Sequence, residues 1–308
     1  MTPVQLLLFL GVCLAWAFHM IVIKTTVELV EPLTYVAFRM PFLALILAPL
    51  LRWHQGQMLR ILIGGACFGG LNYAFMFTGF SLTTASIGAV VIESYVVIAT
   101  LLSVVFLREH VGWRRSLGIV AALIGVVTIA TADSEATGSR NLPLGALLLV
   151  LAATSEATGA LFVKKIEGVK PLALLAWFAV VGTVLTGLFA AVFERDHFAW
   201  ISGENRTQII GALAYSVLVA SLFGHAAYYY LLQRVPLSVV APSGLLITFF
   251  AMLMGVTLLA EPLTPKVGLG AGMVVAGVAI ILVRSQRPDR KQVVAATAAA
   301  PEDDGAVI

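Results

Sequence analysis

Ten apolar stretches, each about as long as a hydrocarbon core is thick, leave this chain one class of fold. They run over 4–23, 33–51, 61–80, 85–107, 116–132, 142–163, 172–193, 208–231, 237–259 and 267–284. Crossing a ~30 Å hydrocarbon layer takes about 20 helical residues. A helix satisfies its own backbone there, where no water can. The loops between the stretches are too short to hold a soluble domain, and only 11% of the 308 residues are charged, against roughly 25% in soluble domains. The expectation is an all-α polytopic membrane protein with ten transmembrane helices.

The first stretch lacks the basic segment that opens a signal peptide, so it reads as a retained span. Cys13 and Cys67 fall in separate apolar runs and read as packing residues. From residue 285 the composition changes to SQRPDRK, an Ala/Thr stretch and PEDDGAVI. That segment cannot bury a core and is expected to be a disordered cytoplasmic tail. Of the 19 Lys and Arg residues, one, Arg39, lies inside a span; with the N-terminus inside, thirteen fall on the cytoplasmic side and five on the other. The positive-inside rule then places both termini in the cytoplasm.

Sliding the chain on itself by 152 positions superposes Ser86 on Ser238, Ala89 on Ala241 and Glu109 on Glu261. Gly118 falls on Gly270 and Gly125 on Gly277, with no gap between 86 and 131. Each half therefore holds five spans, a first module over 4–132 and a second over 142–284. Because five is odd, the second module must sit upside down relative to the first. Such inverted five-helix repeats place a binding site near the bilayer midplane and suit alternating access. Glu109 and Glu261, in LREHVGWRR and LAEPLTPKV, mark equivalent corners of the two modules. An acid just ahead of a helix is favourable, so each reads as a cap on the helix that follows, with Arg114, Arg115 or Lys266 close by.

The duplicated pattern of apolar span, Leu-x-Glu and Gly-containing span resembles the EamA-type transporters of the drug/metabolite transporter superfamily. LAWAFHMIVIK at 14–24, YVAFRM at 35–40 and VAPSGLLITFFAMLMGVTLLAEPLT at 240–264 carry the same likeness. The glycine usual before the family's glutamate is Arg108 in one half and Ala260 in the other. The resemblance covers residues 4 to about 284. It implies the ten-span DMT/EamA fold in a bacterial inner membrane and a carrier that exports amino acids, metabolites or toxic compounds.

A charge at mid-bilayer costs roughly 2.5–3.5 kcal/mol on insertion scales, so it faces a cavity or a partner. Arg39 and Glu93 lie at similar depth in spans two and four, with His19 in the same half of span one. Arg39 either fixes a substrate carboxylate or pairs with Glu93 to lock two helices. Glu156 lies mid-span and His225 in SLFGHAAYYYLLQ; with Glu93 they are the candidates for carrying a coupling proton. The 152 offset lays Tyr73 on His225, which adds Asn72 and Tyr73 to the cavity candidates, and Trp16 and Tyr95 complete the substrate-binding set. Tyr228, Tyr229 and Tyr230 cannot all face one way on a helix, so one should face lipid or a neighbouring helix. GGACFGG at 64–70 spaces Gly65 and Gly69 for close helix contact.

No nucleotide-binding loop, metal-ligand cluster or nucleophile with its base is recognisable, so no cofactor, metal or nucleic-acid partner is expected. The reading is a secondary carrier, monomeric or homodimeric, that exports a small polar metabolite such as an amino acid or derivative, with a proton as a candidate coupling ion. Efflux of cationic or aromatic drugs is the alternative within the class, and an intramembrane enzyme the alternative outside it.

Overall fold

The computed structural model describes residues 2–107, 112–232, 234, 235, 240 and 243–285. All regular structure in these residues is helical. Eight helical segments are long and apolar enough to cross a membrane, and two shorter apolar ones, Ser116–Ala130 and Ser243–Leu258, complete the ten. Glu109 and the tail from 286 lie outside the described residues.

In chain order the first module contains α1 (Pro3–Thr26), α2 (Pro32–Leu47), α3 (Met58–Gly65), a π-helical segment π1 (Ala66–Asn72), α4 (Tyr73–Leu82), α5 (Ala85–Ile92), α6 (Ser94–Leu107) and α7 (Trp113–Ala130). The second contains α8 (Leu142–Val163), α9 (Pro171–Phe193), the short α10 (Ala199–Ser202), α11 (Arg206–Ala214), a second π segment π2 (Tyr215–Phe223), α12 (Gly224–Leu232), α13 (Ser243–Leu258) and α14 (Pro265–Ser285). The helices start where local chemistry allows. Thr2 and Gln5 form a capping box on α1, and Thr84 and Asn141 cap α5 and α8 with their side chains. Pro3, Pro32 and Pro171 stand in the first turn, where no backbone N–H is missed.

Close glycine contacts fix how the modules meet. A Cβ added to Gly118 would lie 2.7 Å from the Gly277 carbonyl oxygen, and one added to Gly125 would lie 2.6 Å from that of Gly270. Early α7 therefore meets late α14 and late α7 meets early α14, so the pair runs antiparallel. The 152 offset turns each of these contacts into the other. Equivalent helices related in this antiparallel, self-complementary way fit a two-fold axis across the helices, which is compatible with an inverted repeat. The remaining packing exchanges in the same sense: α1 packs on α13, and its counterpart α8 packs on α6.

Two bundles follow. One gathers α1, π2, α12 and α13; the other gathers α3, π1, α4, α6 and α8. The α2–α9 pair and the α7–α14 pair connect them. At one end of the molecule lie the α1–α2 turn, the α4–α5 junction and the α13–α14 turn; at the other lie the α2–α3 and α8–α9 loops.

Glu261 does not cap the helix that follows it. Its carboxylate reaches across the modules and accepts the N–H groups of Ala85 and Ser86 at 2.6 and 2.8 Å, at the start of α5. The reason is local backbone. Ala260 has φ +52°, a left-handed conformation that turns the chain back and aims Glu261 at α5. Lys266 is engaged elsewhere, donating to the Thr131 carbonyl at 2.6 Å, and Arg114 stacks over Trp113. A left-handed turn costs an L-residue roughly 1–2 kcal/mol that glycine avoids. Ala260→Gly is therefore expected to raise the stability of the detergent-solubilised protein by about 1 kcal/mol. A lowered melting temperature for that variant would contradict the account.

Candidate functional site

A cavity of about 460 Å³ opens between the two bundles. Trp16, His19 and His225 line it from one bundle, and Asn72, Tyr73, Glu93 and Glu156 from the other; Arg39 enters from α2. Val163, Pro171 and Leu174 also line it. These residues flank the α8–α9 loop, so the cavity reaches that end of the molecule.

Local structure sets each group. The fourth span is broken within the bilayer: α5 ends at Ile92 and α6 begins at Ser94, which leaves Glu93 at the joint. Its carboxylate accepts from the Thr248 hydroxyl at 2.9 Å. Glu156 accepts from the Asn72 amide at 3.2 Å, and the same amide nitrogen donates to the Ala152 carbonyl at 2.9 Å. Both carboxylates line the cavity.

Arg39 is 1% exposed. Its Nη2 donates to Ser221 Oγ at 2.7 Å and to the Tyr73 hydroxyl at 3.5 Å, with the guanidinium 4.5 Å above the Tyr73 ring. Its Nε and Nη1 have no hydrogen-bond partner among the described residues. The ion pair with Glu93 that equal depth suggested is not formed: Arg39 turns to Ser221, Glu93 to Thr248. Among the described residues the ion pair is Lys24–Glu28.

His19 shares a hydrogen bond with Ser216 Oγ at 2.9 Å, and Tyr35 another at 2.7 Å. His225 bonds the Ser221 carbonyl at 2.8 Å. Trp16 donates to the Ala220 carbonyl at 2.8 Å and meets the His225 ring edge-on at 5.5 Å. Below this polar region the wall is apolar, with Met40, Leu43, Leu175 and the stacked Phe68 and Phe178 rings.

Tyr95 is not among the lining residues. Tyr230 is the exposed member of the tyrosine triplet, under the Arg234 guanidinium. Sequence reading missed Ser216, Ser221 and Thr248. Five residues apart, Ser216 and Ser221 would point about 140° from each other on an α-helix. The π segment, bonded i to i+5, brings them onto one face. A short polar residue at that spacing, opposite Arg39 and His19, was the available signal.

π1 and π2 occupy equivalent positions in the two modules, since adding 152 to 66–72 gives 218–224. Each carries a partner of a buried charge: Asn72 for Glu156, Ser221 for Arg39.

The chain is similar in sequence and fold to known proteins. A "Probable amino-acid metabolite efflux pump" of Salmonella typhimurium is 26% identical over 89% of this chain and 93% of its own. The Escherichia coli protein of the same description matches at the same identity and coverage. An uncharacterized transporter of Archaeoglobus fulgidus is 24% identical over 87% of this chain and 94% of its own. A solved crystal structure shares the fold, with TM-score 0.59 at 16% identity over 93% of this chain and all of the other. The EamA-like transporter family matches residues 4–131 and 143–283, nearly the whole of both modules. This multi-pass membrane protein belongs to the EamA-like transporter family.

Proposed function

We propose that the chain is a secondary carrier that exports an amino acid or close derivative across a bacterial inner membrane by alternating access, its termini in the cytoplasm. One observation carries this reading. A buried guanidinium with two nitrogens lacking a hydrogen-bond partner shares a cavity with two carboxylates that pair with no cation among the described residues. A zwitterion matches such a site: its carboxylate docks on Arg39 and its ammonium on Glu93 or Glu156. The pumps of Salmonella and Escherichia coli, whose descriptions name amino-acid metabolites, support the same class. A proton carried by Glu93, Glu156 or His225 is the coupling ion in this reading.

The test is binding to the purified carrier in nanodiscs, comparing amino acids, their methyl esters and cationic dyes. Free amino acids are expected to bind about 100-fold more tightly than their esters, because a fork of N–H donors left unpaired rejects the ligand that lacks the oxygen. Glu93→Gln is expected to leave amino-acid affinity within about tenfold, the loss of one charge-assisted bond. Esters binding as well as acids, with dye binding abolished in Glu93→Gln, would instead identify a pump for cationic drugs. Paired carboxylates beside the Trp16 and Tyr73 rings are what would favour such cations.

A further inference from the structure

Glu261 is not among the cavity-lining residues, and it caps a helix of the other module, as Glu194 also does at Leu33 and Thr34 of α2. Helix caps are normally local, supplied by a residue adjoining the helix. The Glu261 carboxylate comes from 176 and 175 residues away, from the other module, and is 8% exposed. Both its oxygens accept backbone N–H groups at the positive end of α5, a charge-assisted and dipole-aligned arrangement. Gly255 makes room for it: a Cβ there would run into the Ser86 hydroxyl and the Glu261 carboxylate.

The helix held in this way is itself half a span. α5 is 8 residues long and separated from α6 by the break at Glu93. Its two halves keep different company. α6 packs on α8 in one bundle, whereas α5 packs mainly on α13 in the other and to a lesser extent on α8. Ala89 of α5 is buried with Cys13, Ala17, Ile247 and Ala251, and the Thr248 hydroxyl touches both the Ala89 carbonyl and Glu93. α5 thus lies across the bundle interface at the end of the molecule that the cavity does not reach. It is fastened at its tip by Glu261 and jointed at its base by a residue of the binding site.

We infer that α5 is the gate at the closed end of the carrier, with Glu261 its latch and the Glu93–Ser94 joint its hinge. Opening that end separates α13 and its trailing Glu261 from the α5 tip, so the two backbone bonds break in each transport cycle. A substrate ammonium that engages Glu93 pulls on the hinge and loosens the gate from inside the cavity. The inference rests on the alternating-access reading and adds to it where the moving part is.

Two single-cysteine reporters test this in vesicles, after Cys13 and Cys67 are replaced by alanine. Ile23→Cys sits 1% exposed on the cavity wall near the closed end; Leu174→Cys sits near the open end. Each is reacted with a membrane-impermeant maleimide applied from either side. Glu261→Ala is expected to raise the Ile23→Cys reaction rate about tenfold and to lower that of Leu174→Cys, the scale set by losing one charge-assisted pair. Glu261→Gln, which keeps one acceptor oxygen and the side-chain volume, should fall between, and it serves where the alanine variant does not fold. Gly255→Ala, which leaves the carboxylate but wedges it off α5, should move both reporters in the same directions. A static cap predicts otherwise: both reporters unchanged, or both faster as the fold loosens. Either result overturns the gate. Substrate that moves neither reporter in the wild-type background would count against the carrier reading instead, while leaving the latch response intact.

Discussion

In the proposed reading, Arg39→Gln is expected to abolish concentrative transport of amino acids and to weaken their binding by at least about 100-fold, which is about 2.7 kcal/mol. The side chain is 1% exposed, and three facts set its energy. One nitrogen is satisfied by Ser221, the Tyr73 ring lies under the guanidinium, and Nε and Nη1 have no protein partner. An arginine held this way costs the empty protein free energy, because its charge is desolvated without a counter-ion. In the proposed site a substrate carboxylate would restore two charge-assisted bonds at once, each stronger than a neutral one. The variant should therefore show a paired signature. Empty Arg39→Gln protein melts a few degrees higher than wild type, since an uncompensated charge is gone, and the melting temperature no longer rises with substrate. Arg39→Lys retains the charge but loses the planar fork, and is expected to recover no more than about a tenth of the affinity, one charge-assisted bond out of two. Thermal melts with and without substrate, together with uptake into everted vesicles, read all of this. Wild-type transport by Arg39→Gln would remove Arg39 from the binding site.

Much of the architecture was legible because it depends on periodic or additive properties. All ten apolar runs correspond to helical segments, since length and hydropathy decide membrane insertion almost alone. The glycine register at offset 152 was legible too, and the contacts of Gly118 with Gly277 and of Gly125 with Gly270 give it a physical meaning. The site was legible in its charges but not in its pairings. Arg39, Glu93 and Glu156 stand out in an apolar chain because buried charge is expensive. Which neighbour satisfies each depends on backbone departures that α-helical periodicity hides: π2 turns Ser221 towards Arg39, and the break at Glu93 leaves its carboxylate with Thr248. Glu261 shows the same limit. Its acid-before-helix position pointed to α14, while a left-handed Ala260 sends it to a helix 176 residues earlier in sequence.

Gly125→Leu is expected to prevent folding altogether, and the reason separates it from an ordinary core substitution. The Cβ would stand 2.6 Å from the Gly270 carbonyl oxygen and 2.8 Å from the Val274 backbone nitrogen. Backbone on the facing helix cannot rotate aside as a side chain does, so α7 and α14 must move apart along their length. Overpacking at one methylene-sized site costs roughly 1–3 kcal/mol; four extra carbons against backbone exceed that and the few kcal/mol that small-residue helix contacts supply in lipid. Fluorescence-detected gel filtration should show aggregate in place of the monodisperse peak. Gly187→Leu and Gly272→Leu are the matched controls, because a Cβ at either meets nothing within 4 Å; both should elute as wild type. The two-fold relation makes a sharper demand. Gly118→Leu, Gly270→Leu and Gly277→Leu press on carbonyls at 2.7, 2.8 and 2.5 Å, and all three should fail as Gly125→Leu does. If the two members of an exchanged pair, Gly118 and Gly270 or Gly125 and Gly277, differ widely in tolerance, the α7–α14 contact is not the self-complementary seam on which the inverted repeat closes.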